Sequence, residues 1–329
     1  MNIGIVGAGN IVFDFFEAAG KIDEMNLAAI CATKRSEEKL KKICEDFKLE
    51  KYFCDYDEML EDDSLETIYV AVPNNMHYDF SKKALLKGKN VILEKPFASC
   101  YEEAVELVNL AKEKGLFLFE AITNQYFPNY TKVKELIPSL GDIKIVELNF
   151  SQYSSRYDAF KRGEIQPVFD SEKSGGVLMD LNVYNIHFVV GLFGEPKNVH
   201  YFANVERNID TSGILVMEYE NFKCSCIGSK DSSAPLCVNI QGDKGYINSI
   251  SPTNSFDKFK FALNKEGAEE FDLNEHKERL YYELESFVDM VNKNDHEKNV
   301  EQMNHSLKVM EILDKARKYA GIKIKNKSI

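Results

Sequence analysis

The chain has 329 residues, about twice what one domain usually needs, so two domains are expected. Its 41 Lys and Arg against 53 Asp and Glu leave a formal charge of −12, which argues against a nucleic-acid-binding surface, because phosphate neutralisation needs a local excess of cations. No apolar run reaches the roughly 18 residues of a membrane span, and the opening Met1-Asn2-Ile3-Gly4-Ile5-Val6 has no basic flank, so it reads as a strand and not as a leader.

In chain order, a strand at 3–6 leads through a turn at 7–10 into a helix that ends at residue 19. A strand at 27–32, a helix at 37–47 and a short strand at 52–54 follow. Residues 67–72 and 90–93 are near-continuous apolar runs of strand length, as expected for strands covered on both faces. Helices at 78–87 and 101–114 and a strand at 117–119 complete a strand–helix alternation. That alternation implies an α/β domain over 1–121 with a parallel, doubly wound sheet.

After residue 121 the rhythm changes. Strands at 144–154, 199–205, 213–219, 222–228, 237–242 and 258–263 are joined by short connections, with Glu220-Asn221 and Gly242-Asp243-Lys244-Gly245 supplying turn chemistry. One strongly patterned helix at 177–193 interrupts the series, and charged helices at about 276–292 and 301–319 close it. Residues 122–329 therefore read as an α+β domain with helices against one face of a mainly antiparallel sheet. The seven cysteines are scattered, and Cys224 and Cys226 are expected on opposite faces of a strand, so reduced thiols and a cytoplasmic location fit best. Neither they nor the histidines show metal-ligand spacing, and no metal is expected.

Gly7-Ala8-Gly9 follows a strand directly and opens a helix. The first glycine permits the tight turn, and the second lets a pyrophosphate approach the backbone at the helix N-terminus, with Asn10 and Ile11 alongside. Val12 stands where a third glycine would help the helix pack closely. The end of the second strand decides the cofactor. An NAD site usually places a carboxylate there, but this strand ends Ala32-Thr33-Lys34-Arg35-Ser36. Two cations with hydroxyls suit a 2′-phosphate, with Arg35 as the bidentate partner, so NADP is favoured and NAD is the alternative.

Two further loops leave the same sheet edge, Pro73-Asn74-Asn75-Met76-His77 and Glu94-Lys95-Pro96-Phe97. Ligands of open α/β sheets bind outside the carboxyl ends of strands, and a lysine fixed there by the following proline can be held beside a substrate oxygen. The third cluster is the helix that begins Gly175-Gly176. Met179, Val183, Ile186 and Val190 form its apolar stripe, while Asp180, Tyr184 and His187 share a second face at spacings of four and three, a set suited to proton transfer. The stretch 154–169 has no readable pattern but holds Arg156, Lys161 and Arg162.

Together these residues resemble the Gfo/Idh/MocA family of oxidoreductases over nearly the whole chain. The resemblance rests on Gly7-Ala8-Gly9, Pro73-Asn74 with His77, the Gly-Gly…Asp180 helix, Gly242-Asp243-Lys244-Gly245 and above all Glu94-Lys95-Pro96. Many members place a histidine as acid/base where Tyr184 stands here. That tyrosine resembles the branch containing dimeric dihydrodiol dehydrogenase and glucose–fructose oxidoreductase, as does the segment 120–128. Gln125 stands where an arginine is common and Asn182 where a glycine is usual, and both departures bear on the substrate.

The resemblance implies an N-terminal Rossmann domain, a cis Lys95–Pro96 bond, and a large open C-terminal sheet that builds homodimers or homotetramers. It also implies a dinucleotide lying along Gly7, Gly9, Asn10 and Ile11, with Thr33, Lys34, Arg35, Pro73, Asn74, His77, Glu94 and Lys95 as further contacts. The expected reaction moves a hydride between NADP and a secondary hydroxyl or carbonyl of a sugar-like or diol substrate. Lys95 stabilises the alkoxide, Tyr184 exchanges the proton, Asp180 orients Lys95 or the substrate, and Tyr153, Arg156 and His187 are candidate substrate contacts. The competing reading is a non-catalytic NADP(H)-binding redox sensor, which keeps the glycine turn but has no need of Lys95, Asp180 and Tyr184 together.

Overall fold

The apolar runs of the N-terminal third become strands with almost no exposed side chain: every residue of Thr67–Val70 and Leu118–Ala121 is buried. In the computed structural model, which describes residues 1–323, the elements of this part are β1 (Asn2–Val6), α1 (Asn10–Ala19), β2 (Asn26–Cys31), α2 (Glu37–Phe47), β3 (Lys51–Phe53), α3 (Tyr56–Leu60), β4 (Thr67–Val70), α4 (His77–Leu86), β5 (Asn90–Glu94), α5 (Tyr101–Lys114) and β6 (Leu118–Ala121). The six strands form one parallel sheet in the order β3-β2-β1-β4-β5-β6. The order reverses between β1 and β4, the position where doubly wound sheets open a crevice. The expected doubly wound sheet is therefore present, and α3 is a short helix that the sequence pattern did not announce.

The rest of the chain supplies α6 (Pro128–Leu136), β7 (Ile143–Ser151), α7 (Tyr157–Lys161), α8 (Val183–Phe193), β8 (Asn198–Glu206), β9 (Ile209–Glu218), β10 (Lys223–Ser229), β11 (Cys237–Gly242), β12 (Gly245–Ser249), β13 (Phe259–Leu263), β14 (Glu269–Phe271), α9 (Tyr281–Asn292) and α10 (His296–Tyr319). Eight strands form a sheet in the order β14-β13-β12-β11-β7-β10-β9-β8, antiparallel except for the parallel pair β7·β10. Alternate residues such as Val146, Leu148, Leu215, Met217 and Ile240 are buried, whereas Ile145, Phe202, Ile214 and Tyr246 on the other face are exposed.

The chain divides into two compact units, Met1–Ala121 with Glu278–Leu307, and Ile122–Lys277 with the residues from Lys308 onward. The sequence reading divides the chain into residues 1–121 and 122–329; in the structure Glu278–Leu307 groups with the parallel sheet. Its side chains stack there: Phe287 lies on Phe119 with ring centroids 4.4 Å apart, and Arg279 pairs with Asp14 at 3.0 Å. The cysteine expectation is also corrected. Cys224 and Cys226 lie on the same buried face of β10 with their sulfurs 3.8 Å apart, because side chains alternate along a strand and residues two apart share a face. Ser171–Phe193 is long and apolar enough to cross a membrane, yet 78% of its most apolar stretch is buried, so its apolar character serves the protein interior.

Candidate active site

Register places Val6, Cys31, Val70 and Leu93 level across the parallel sheet, so the residues that follow them leave one edge together. At the centre is Gly7, with φ +116° and a Cβ position 2.1 Å from the carbonyl oxygen of Ala71. Only glycine fits there. Gly9 differs: a Cβ on it would meet nothing within 4 Å. It caps α1 without a side-chain hydrogen bond, leaving the helix N-terminus exposed to a ligand, where amides and the helix dipole favour an anion. Val12 is completely buried. Lys39, absent from the sequence reading, reaches this turn from α2, its Nζ donating to the Ala8 carbonyl at 2.5 Å.

At the end of β2, Thr33, Lys34 and Arg35 are exposed and Lys34–Ser36 forms a 3-10 turn. Lys34 pairs with Glu37 at 2.7 Å, which holds the lysine above and the glutamate below their ordinary pKa values. Among the described residues Arg35 has no ion pair. A carboxylate at the strand end, where a ribose diol would be read, is absent; the nearest acid is engaged by Lys34. This donor set fits a phosphorylated ribose.

The loops after β4 and β5 are tied together. His77 is buried with Nδ1 2.8 Å from the Pro96 carbonyl oxygen and Nε2 3.0 Å from that of Val72. Burial pushes the ring down to about 4, against its two carbonyl bonds. A neutral imidazole donates from one nitrogen, so His77 is a clamp between backbones, and its expected place as a cofactor contact gives way to that of a support. The Lys95–Pro96 peptide is cis. Glu94, just before it, is buried and accepts from the Tyr69 hydroxyl at 2.5 Å; burial raises its pKa, with Tyr69, Lys95 and Arg279 acting the other way. Glu283 of α9 is held well above the ordinary carboxyl range by burial and by the neighbouring Glu94. Lys95 is half-buried, Asn74 is half-buried and Pro73 is exposed at the same edge.

In the second unit, the segment that begins Gly175-Gly176 does not start as an ordinary α-helix. Leu178–Asn182 winds as a π-helix before α8 begins, a feature frequent at functional sites. Both glycines are required by their surroundings: a Cβ on Gly175 would lie 2.7 Å from the Pro167 carbonyl oxygen, and one on Gly176 would lie 2.0 Å from Asp210 Oδ1. Asp210, which the sequence did not flag, caps the segment by accepting from the Leu178 N–H at 2.8 Å and from the Tyr201 hydroxyl at 2.7 Å.

The expected polar face of this helix is divided. Every residue from Val183 to Val190 is buried, so His187, with no exposed surface, is an interior residue and its candidacy as a substrate contact falls. Asp180 keeps 28% of its side-chain surface and is hydrogen-bonded by Lys230. Tyr184 is 5% exposed. The departures from the family pattern act on the helix itself. Gln125 Nε2 donates to the His187 carbonyl at 2.9 Å, and Asn182 Nδ2 donates to that of Cys226 at 3.0 Å. Asn124 Nδ2 adds a bond to the Tyr184 carbonyl at 2.8 Å.

The unpatterned stretch after β7 folds around a small aromatic cluster of Tyr157, Phe160 and Phe169 with Ile209. Tyr153 is exposed but engaged, its hydroxyl donating to Asp158 at 2.8 Å and accepting from Lys161 at 3.1 Å. Lys161 pairs with Asp158 at 2.7 Å and Arg162 with Glu164 at 3.3 Å. Arg156 is exposed at the start of α7.

Comparison with known proteins agrees with this geometry. Residues 1–122 match the model of an oxidoreductase family with an NAD-binding Rossmann fold, and residues 130–248 match the Gfo/Idh/MocA C-terminal domain. A scyllo-inositol 2-dehydrogenase (NADP(+)) of Bacillus subtilis is 31% identical over 325 residues, covering 98% of both chains. The chain belongs to the Gfo/Idh/MocA oxidoreductase family. Another member, the trans-1,2-dihydrobenzene-1,2-diol dehydrogenase of Xenopus tropicalis, is 28% identical over 74% of this chain and 73% of its own. In fold, this Gfo/Idh/MocA protein is similar to a 3-ketoreductase from Actinomadura kijaniata, solved with NADP and TDP-benzene, at TM-score 0.84 and 21% identity over 97% of each chain.

Proposed function

We propose that the chain is a dehydrogenase that exchanges a hydride between NADP and a secondary hydroxyl of a sugar-like or diol substrate. The observation that carries this reading is the carboxyl edge of the parallel sheet, where Gly7, the acid-free Thr33-Lys34-Arg35 end and Lys95 leave β1, β2 and β5. Gly7, Gly9 and the first amides of α1, with Asn10 and Ile11, would hold the pyrophosphate. Thr33, Lys34 and Arg35 would hold the 2′-phosphate, and Pro73, Asn74 and Glu94 would border the remainder. When bound, the dinucleotide supplies the carbon that accepts the hydride. The names of the relatives, an inositol dehydrogenase specified for NADP and a diol dehydrogenase, support both the cofactor and the substrate class.

In this mechanism Lys95 donates a hydrogen bond to the reacting oxygen. Its charge stabilises the alkoxide that forms as the hydroxyl gives up its proton and that becomes the carbonyl as the C–H bond breaks with its electron pair. Tyr184 takes the hydroxyl proton and passes it to solvent; in the reductive direction it returns a proton to the new alkoxide. Asp180 orients the groups at this end, and Tyr153 and Arg156 border the substrate. The exposed apolar face of the eight-stranded sheet, with Ile145, Phe202, Ile214 and Tyr246, supports assembly into a homodimer or homotetramer through that sheet. The free cysteines support a cytoplasmic, reducing environment.

The test is a parallel fluorescence titration with NADPH and NADH, followed by oxidation assays on inositols, aldoses and trans-diols. Lys95→Met and Tyr184→Phe should each lower turnover by about 10²–10⁴-fold while keeping NADPH affinity. Tight NADPH binding with no oxidation across the panel would favour the redox-sensor reading instead.

A further inference from the structure

Lys230 lies outside every motif that the function absorbs, yet its side chain is only 8% exposed and its ammonium donates to Asp180. Burying an ammonium is costly unless it is paired, so the fold has a specific reason to aim it there. Its backbone is fixed from two sides: the Lys230 N–H donates to the Thr211 carbonyl at 2.8 Å, and its own carbonyl accepts from Ser154 N–H at 2.9 Å. The neighbouring acid does not compete for it. Asp231 accepts from Thr211 at 2.7 Å, Ser212 at 2.8 Å and Ser229 at 2.9 Å.

We propose that Lys230 is a positioning residue of the reaction, acting through Asp180. The inference rests on the dehydrogenase reading above and deepens it. Asp180 stands on the π-helical turn four residues before Tyr184. An unneutralised carboxylate there would disfavour the phenolate that Tyr184 must become when it has lost its proton. Lys230 against it fixes the direction of Asp180 and offsets its negative charge. Around this turn, Asp210 from β9 is engaged by Leu178 and Tyr201, Lys230 beyond the end of β10 donates to Asp180, Asp231 beside it is engaged by hydroxyls, and Tyr184 and His187 follow on α8; in the proposed reaction Lys95 is a further cation at this end.

The test compares wild type, Lys230→Met, Lys230→Arg, Asp180→Asn and the double variant Asp180→Asn/Lys230→Met. Lys230→Met should lower kcat by about 10- to 100-fold with NADPH affinity unchanged. It should also move the acid limb of kcat/KM up by about one pH unit, since losing an adjacent cation raises a carboxyl pKa. Lys230→Arg should restore most of kcat. In the Asp180→Asn background, Lys230→Met should cost less than about threefold. An equal cost in both backgrounds, or an unchanged acid limb, would overturn the proposal.

A second readout does not need turnover: a ¹³C-carboxyl titration of Asp180, assigned by its loss in Asp180→Asn, should show its pKa rising by about one unit in Lys230→Met. An unmoved Asp180 signal refutes the role even if no substrate is ever found, and a moved one upholds the pairing if the dehydrogenase reading fails. If Lys230→Met does not fold, Lys230→Gln carries the same comparison, with thermal unfolding recorded for each variant.

Discussion

Asp210 offers a quantitative check on how the second unit holds its functional segment. Its carboxyl is buried, caps Leu178 and receives the Tyr201 hydroxyl, and burial raises its pKa from the ordinary 3.8 to about 6 in spite of those bonds. Between those two values the native state holds a proton that the unfolded chain has released, so stability falls as pH rises. At about 1.4 kcal/mol per pH unit, this displacement corresponds to ~3 kcal/mol, lost between about pH 4 and pH 6 and constant above. Replacement by Asn removes the titration and keeps an oxygen for Leu178 and Tyr201. Urea unfolding of wild type and Asp210→Asn, followed by fluorescence from pH 4 to 7.5, should show the stability difference moving by ~3 kcal/mol in favour of the variant as pH rises. Other acids contribute equally to both proteins and cancel in the difference. Parallel stability curves across that range would refute the assignment of a raised, buried carboxyl at this cap.

The two glycines of the first turn should separate folding from binding. Gly7→Ala places a methyl 2.1 Å from the Ala71 carbonyl oxygen at φ +116° and should cost at least ~2 kcal/mol in urea unfolding. Gly9→Ala, which meets open space, should leave stability within ~0.5 kcal/mol while weakening NADPH by about tenfold or more in a fluorescence titration. Arg35→Ala should weaken NADPH by about 10- to 100-fold, the value of a lost charge-assisted bond, and change NADH by less than about twofold. Asn182→Ala removes bonds to the Cys226 carbonyl at 3.0 Å and from Asn185 at 2.9 Å and should cost ~2 kcal/mol in thermal unfolding.

The first unit was legible because parallel strands covered on both faces leave unbroken apolar runs, and because Gly7 and Lys95 sit at strand ends whose place in the sheet follows from topology. The short α3 and α7 carry too few turns for a period to show. Glu278–Leu307 displays an apolar stripe without saying which core it joins; Phe119 and Asp14, far earlier in the chain, answer that. His77 and His187 were read as reaching ligand, but burial assigns one to a backbone clamp and the other to the interior. Lys230 shared a signal with Lys95, a lysine just beyond a strand. It went unnoticed because its partner Asp180 is fifty residues away and no local pattern joins them. Cys224 and Cys226 share a face because a strand repeats every two residues.

The π-helical turn at Leu178–Asn182 has a consequence for how this protein tolerates change in length. Such a turn amounts to one residue more than regular winding accommodates, and each helical residue advances the chain by about 100°. Deleting a single residue after Asp180 in this turn would relax the coil to ordinary geometry without breaking the helix, yet would swing the acid within it away from the phenol after it by more than a quarter of a revolution. The surplus residue is thus a phase adjuster, setting the angle between two reactive groups independently of how far apart they lie in the chain.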